Sequence, residues 1–375
     1  MNSVTSASVN LGSAFPQHKS FYPDNMPARP HGLYARRTMP NVALAPTFIG
    51  DGRFDWKQRE YRDPGPTELL IRVRANAICG SDRGQYFGGS EPIPGHEAAG
   101  EVVAAGDRTN TTEGTRGVVY LKDFCGECRN CRAHATNQCL AKRADMGFTH
   151  DGGYGPFEVI HETNFFPVGD DVSFSEATML LDAMGTTGHA LLRAELIRRD
   201  MESIYIAGAG PIGLGLLVMA KIRYGTSVPV YISDVSPWRL NLAQELGGLL
   251  VDARDPHGLT EMGKVDVAFD ASGKQAARQA ALAAVDSRGV FVCVGGSEGL
   301  VVTDVGKELL LSERAIVGSE YFNYDEFPYN LQILRGNRQL IGKLITDTFP
   351  ISNLGEAFAK FLAGETGKVV VTQDG

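Results

Sequence analysis

The chain has 375 residues, long enough for two domains of ordinary size, and it is 43% hydrophobic and 21% charged, the composition of a soluble globular protein. A formal net charge of −8 and a pI near 5.6 argue against general nucleic-acid binding, which needs a basic face, and no apolar run reaches membrane-spanning length. Six cysteines are too few for a disulfide scaffold; used as free thiolates they imply a reducing compartment, and with no secretory h-region a cytoplasmic location is expected.

Residues 1–40 are rich in Ser, Asn, Pro and His without sustained periodicity, with prolines at 16, 23, 27, 30 and 40. They read as a poorly ordered or surface-wrapping extension. From 41 to 184 short strands are broken by Gly and Pro. The run Leu69–Ala75 alternates apolar and charged positions, and Glu101–Ala105 and Gly117–Leu121 are further strand candidates, so this part reads as a folded-over β body.

Two cysteine features lie in this body. Cys79 opens Cys79-Gly80-Ser81-Asp82, and Gly95-His96-Glu97 follows. A catalytic zinc takes three protein ligands and keeps a fourth position open. Cys79 and His96 supply two, and the candidates for the third are Glu97 and the distant Asp182. Each also has a plain structural reading: a buried small thiol, a turn, a helix cap. The second feature is Cys125, Cys128, Cys131 and Cys139, at the spacing C-x2-C-x2-C-x7-C. That is the ligand set of a closed, purely structural tetrahedral zinc lobe with no position left for a substrate.

After about residue 185 the rhythm becomes strand–helix alternation: Ser203–Ala207 then a helix from Pro211 to Tyr224, and Val230–Ser233 then a helix through Leu246. Strands Val265–Phe269 and Val290–Val294 bracket a helix from Gln275 to Val285. This implies a parallel, doubly wound sheet. Gly208-Ala209-Gly210-Pro211-Ile212-Gly213 follows the first strand and opens the first helix, the setting in which G-x-G-x-x-G binds a dinucleotide pyrophosphate. Asp234, 21 residues past Gly213, can hold both adenosine ribose hydroxyls and repel a 2′-phosphate, which predicts NAD over NADP. Its plain alternative is an N-cap for the next helix.

Taken in order, these motifs resemble the zinc-dependent medium-chain alcohol dehydrogenases, most of all the polyol, sugar and threonine dehydrogenase branch. The resemblance covers about residues 40–375, including the ending Lys343–Pro350, Gly355–Phe358 and Gly367–Val370. It implies a GroES-like β-rich catalytic domain over 41–184, completed by 323–375, and a Rossmann domain over 185–322. It implies two Zn2+ per chain and makes Cys79, His96 and Asp182 the catalytic ligands. The offset of His189 from Asp182 supports that register. Glu97 becomes a second-sphere or exchanging ligand, Asp82 orients His96, Ser81 takes the substrate proton, and Arg239 flanks the adenosine. Val294 and Ser319 complete the expected cofactor contacts. The implied activity is reversible hydride transfer between NAD and a polar secondary alcohol (a polyol, cyclitol, sugar or hydroxy amino acid) in a homodimer or homotetramer. The alternative is a zinc-stabilised NAD-binding sensor without turnover. Three departures stand out: Gly84 where many relatives carry a relay histidine, a shorter segment from Cys79 to His96, and Ser319-Glu320-Tyr321 where polyol enzymes carry an arginine.

Overall fold

The computed structural model describes residues 42–373 except 256, 297, 301 and 303, so the extension expected over 1–40 lies outside the described residues. Two sheets carry the fold. The first has the strand order Ile345–Pro350, Lys368–Thr372, Glu68–Ala77, Ala98–Ala105, Arg116–Val119, Phe165–Pro167, with Phe157–His161 also pairing on Glu68–Ala77. Glu68–Ala77 is its spine, because its Leu69, Ile71 and Val73 are buried and their neighbours are less so, the period of a strand with one core face. The chain's last strand returns to this spine, with Val370 opposite Ala77.

The second sheet is fully parallel, in the order Leu249–Asp252, Val230–Asp234, Ile204–Ala207, Val265–Asp270, Val285–Cys293, Ala315–Gly318. Numbered along the chain this is 3-2-1-4-5-6, the doubly wound order, in which ligands bind beyond the carboxyl ends of the strands where the order reverses. The expected helices appear as Pro211–Tyr224, Pro237–Glu245 and Gln275–Ala284. The last expected strand begins earlier than its apolar run and ends at Cys293, leaving Val294 in the loop beyond it. The short strand Leu249–Asp252 and the hairpin of Val42–Gly50 with Arg53–Glu60 had not been anticipated; the latter's second strand is largely exposed and lacks a buried period.

One apolar cluster joins the two sheets, from Ala77 and Val118 through Leu180 and Met184 to Ile206, Leu214 and Val290. The segment carrying Asp182 therefore lies at the junction, since its neighbours Leu181 and Ala183 belong to this cluster. Among the described residues no helix is long and apolar enough to cross a membrane.

Candidate metal centres and cofactor cleft

Cys79 follows the spine strand, where Ile78 N–H still bonds to the Val369 carbonyl. His96 and Glu97 directly precede the neighbouring strand Ala98–Ala105. Asp182 arrives from far along the chain at the start of a π-helical turn, Asp182–Thr186, a rare geometry found mostly at functional sites. It is not a helix cap. Cys79, His96, Glu97 and Asp182 are all buried, and one ligand atom from each falls within 4.8 Å of the others.

Cys79 Sγ is 3.0 Å from Asp182 Oδ2, and His96 Nε2 is 3.4 Å from the same oxygen. These are close to the edges of a coordination polyhedron with metal–ligand distances of about 2.0–2.3 Å. Burial works against ionising Asp182, but the His96 contacts outweigh it and hold the carboxyl well below its usual range. Thr186 Oγ1 donates to Asp182 Oδ1 at 3.1 Å, which leaves Oδ2 to face the other ligands. On the far side of the imidazole, His96 Nδ1 lies 3.1 Å from Asp82 Oδ1. Asp82 is itself fixed by Cys79 N–H at 3.0 Å and Tyr154 O–H at 2.7 Å. A carboxylate at this distance behind the imidazole is the placement that orients a metal-bound histidine.

Glu97 is placed differently. One of its oxygens is held by the ammonium of Lys368, and neither side chain has any exposed surface. Its Oε2 is buried without a hydrogen-bond partner among the described residues. A buried carboxylate with an orphaned oxygen, clustered with a cysteine, a histidine and an aspartate, fits a cation in their midst. Burial pushes Glu97 toward its neutral form while Lys368 pulls the other way. Burial opposes the Lys368 charge, yet Glu97, Cys79 and Asp182 together keep it protonated. Asp182 Oδ2, by contrast, lies within 3.4 Å of both Cys79 Sγ and His96 Nε2.

Ser81 is exposed and precedes the helix Asp82–Gly88 without capping it; its hydroxyl instead lies 3.4 Å from His96 Nε2. Phe148 covers the imidazole, with ring centroids 4.9 Å apart. Gln85 is tied to the Gly147 carbonyl and the Ser90 hydroxyl, and Tyr86 stacks on Phe358.

The four-cysteine lobe is a second, separate cluster. Sulfur–sulfur separations of 3.5, 3.5, 3.9 and 4.0 Å bracket the edge of about 3.8 Å that a tetrahedron with 2.3 Å zinc–sulfur bonds requires. Backbone amides already serve the sulfurs. Cys131 and Leu140 N–H groups point at Cys128 Sγ and pull that thiol down to about 6, so it is ready as a thiolate.

The glycine motif has the geometry its spacing predicts. Gly208 has φ +102°, and a Cβ there would sit 3.0 Å from Ser272; a Cβ at Gly213 would fall 1.8 Å from the Gly208 carbonyl oxygen. At Gly210 a Cβ would meet only Arg239, 3.8 Å away, so the helix N-terminus stays open to a pyrophosphate. Asp234 accepts from Ala209 N–H at 2.7 Å and Ser236 N–H at 2.9 Å, with Arg239 Nη1 3.8 Å away. The cap of the next helix is Ser236, so the capping alternative for Asp234 falls away. Ile212 lies in the helix's first turn, and Val294 N–H bonds to the Asp270 carbonyl. Ser319 N–H bonds to the Cys293 carbonyl, and its hydroxyl is buried without a partner among the described residues, a polar atom suited to a ligand.

Sequence reasoning missed Thr186, Lys368 and Phe148. Thr186 could have been found, four residues after Asp182 and so one turn along. Lys368 meets Glu97 across 271 residues, and no local spacing signals that.

Residues 65–170 match the alcohol dehydrogenase GroES-like domain, and residues 211–335 match the zinc-binding dehydrogenase domain. The chain is similar to L-threonine 3-dehydrogenase of Shewanella halifaxensis, 31% identical over 330 residues, which is 83% of this chain and 93% of that protein. Among solved structures it resembles the short chain alcohol dehydrogenase of E. coli CFT073 complexed with NADH, with a TM-score of 0.79 and 23% identity over 88% of this chain and 99% of that one. It also resembles 2R,3R-butanediol dehydrogenase of Bacillus subtilis, with a TM-score of 0.77 and 24% identity over 88% and 99%. At those identities the two structures establish the shared fold.

Proposed function

The chain belongs to the zinc-containing medium-chain alcohol dehydrogenases, and from that premise we propose that it oxidises a polar secondary alcohol reversibly to the ketone with NAD as hydride acceptor. The observation that carries this reading is the convergence of Cys79 Sγ, His96 Nε2 and Asp182 Oδ2, with the Ser81 hydroxyl beside the same imidazole nitrogen.

When bound, zinc supplies Lewis-acid stabilisation of the negative charge that develops on the substrate oxygen, and NAD takes the hydride. Cys79, His96 and Asp182 would hold the metal, and the two negative charges of a thiolate and a carboxylate would balance its own. Asp82, 3.1 Å from His96 Nδ1, would orient the imidazole so that Nε2 faces the metal. Ser81 Oγ accepts the substrate hydroxyl proton and passes it to solvent, which its exposure permits; this shortens the relay that Gly84 leaves without a histidine. Phe148 packs its ring against the imidazole and would shield that side of it.

The preference for NAD rests on Asp234. A ribose diol could hydrogen-bond to its carboxylate, whereas a 2′-phosphate would be repelled by it. The threonine and butanediol dehydrogenases to which the chain is similar support a polar substrate bearing a second functional group. The test is NAD reduction at 340 nm over polyols, cyclitols, sugars and hydroxy amino acids. The expected result is turnover with at least one of them. Binding of NAD and zinc with no turnover on any would favour a non-catalytic sensor.

A further inference from the structure

We propose that the crossover 319–326 positions Asp182, with Phe322 and Glu320 acting as positioning residues that tie the four-cysteine lobe to the Cys79–His96–Asp182 centre. The proposal rests on the reading that this centre holds a metal.

The crossover leaves the parallel sheet at Gly318 and bends sharply at Tyr321, which has φ +50°. A buried aromatic residue in the left-handed region is strained and persists only where its surroundings over-determine it. Here they do, and Glu320, Tyr321, Phe322 and Tyr324 each bond to the segment 120–138 that leads into and through the lobe. The Tyr321 hydroxyl accepts from Leu121 N–H at 3.1 Å, and Tyr120 O–H donates to the Phe322 carbonyl at 2.5 Å. The Asn137 amide donates to the Glu320 carbonyl at 2.6 Å, and Tyr324 N–H to Thr136 Oγ1 at 2.8 Å. The Glu320 carboxylate takes Lys122 Nζ at 2.5 Å and Gln138 Nε2 at 2.6 Å. Glu320 is about half exposed, so its ion pair is screened by solvent and is the weaker of the ties.

The bend seats the fully buried Phe322 ring against Gly185, where a Cβ would fall 2.3 Å from a ring carbon. Gly185 lies within the π-helical turn that begins at Asp182 and ends at Thr186, whose hydroxyl holds Asp182 Oδ1. The ring therefore buttresses the turn that presents the third ligand. A second tie runs in parallel: His189, one turn further on, contacts Glu326 at 2.8 Å and Asn137 at 3.4 Å. Lobe, crossover and Asp182 turn form one packed series. The lobe, closed to substrate, thereby fixes the geometry of the open centre.

The test is cobalt(II) binding to Phe322→Leu and Glu320→Gln in the full chain. Thiolate-to-metal absorption distinguishes a one-thiolate site from a four-thiolate site, so both centres are read in one titration. Phe322→Leu should weaken the one-thiolate site by about tenfold, the effect expected when support behind a metal ligand is lost, and leave the four-thiolate site unchanged. Glu320→Gln should produce a smaller shift in the same direction. Phe291→Leu, which trims an equally buried ring in the parallel sheet, controls for lost packing and should shift neither site. Equal one-thiolate affinities in Phe322→Leu and the parent chain, or equal losses in Phe322→Leu and Phe291→Leu, would overturn the proposal. Absence of the one-thiolate signal from the parent chain would instead overturn the metal reading beneath it.

Discussion

Replacing Lys368 by Met should expose how much the catalytic half depends on a single buried charge pair. Lys368 opens the last strand, and its ammonium has two partners, the Glu97 carboxylate and the Ile78 carbonyl at 3.5 Å; both charged side chains are fully buried. Removing one partner of such a pair costs about 3–5 kcal/mol, because the other charge stays buried without compensation. Unfolding entropy for 375 residues is roughly 0.8 kcal/mol per kelvin, so the melting temperature should fall by about 4–6 °C. Without Lys368 the main offset to the burial that pushes Glu97 upward is lost and only His96 still opposes it, so the folded state favours a proton that the unfolded carboxyl releases above its ordinary range. The deficit should therefore be larger at pH 8 than at pH 6. Lys368→Met with Glu97→Gln should recover more than half of the loss. The assay is thermal unfolding by circular dichroism at both pH values, with exposed Lys57→Met as the reference. A Lys368→Met loss no greater than that of Lys57→Met, or no recovery in the double variant, would refute the reasoning.

Three other expectations follow from the geometry. Glu158 is buried with neither carboxylate oxygen partnered among the described residues, and burial, with Asp151 nearby, pushes its carboxyl well up. It folds as the neutral acid, so its contribution is intact below the unfolded value near 4.3 and falls by about 1.4 kcal/mol per pH unit above it. Glu158→Gln should thus gain stability over the parent as pH rises from 5 to 7 in urea titrations, and parallel profiles would contradict this. Asp234→Ala should raise KM for NAD by about tenfold or more through loss of charged hydrogen bonds to the ribose, and should narrow the preference over NADP. Unchanged KM for both cofactors would remove Asp234 from the site. Cys131→Ser should cost one zinc per chain by metal analysis; retention of the full complement would show that the lobe is not a four-sulfur site.

The parts of the fold legible in the sequence were those whose signal is local. The strand–turn–helix around Gly208–Gly213 is readable because its signal is local, and the structure shows it in the positive φ of Gly208 and the contact that a Cβ at Gly213 would make with Gly208. The cysteine lobe is legible for the same reason, since all four sulfurs sit on one short segment. Cys79 and Asp182 lie 103 residues apart. Neither position alone distinguishes a ligand from a buried thiol or a cap, and only the family resemblance paired them. Lys368, Phe322 and Tyr321 were opaque. Their roles depend on which strand pairs with the spine and on a backbone bend with positive φ that no propensity of tyrosine foretells. Glu320 could be seen to stand where relatives differ, but its partners on the lobe could not.

The central claim is that Cys79, His96 and Asp182 hold a catalytic metal separate from the lobe. Zinc content and NAD-dependent turnover of Asp182→Ala test it most directly. Two zincs per chain are expected in the parent and one in the variant, with the fold retained and turnover abolished. An Asp182→Ala chain that keeps both zincs and its activity would contradict it.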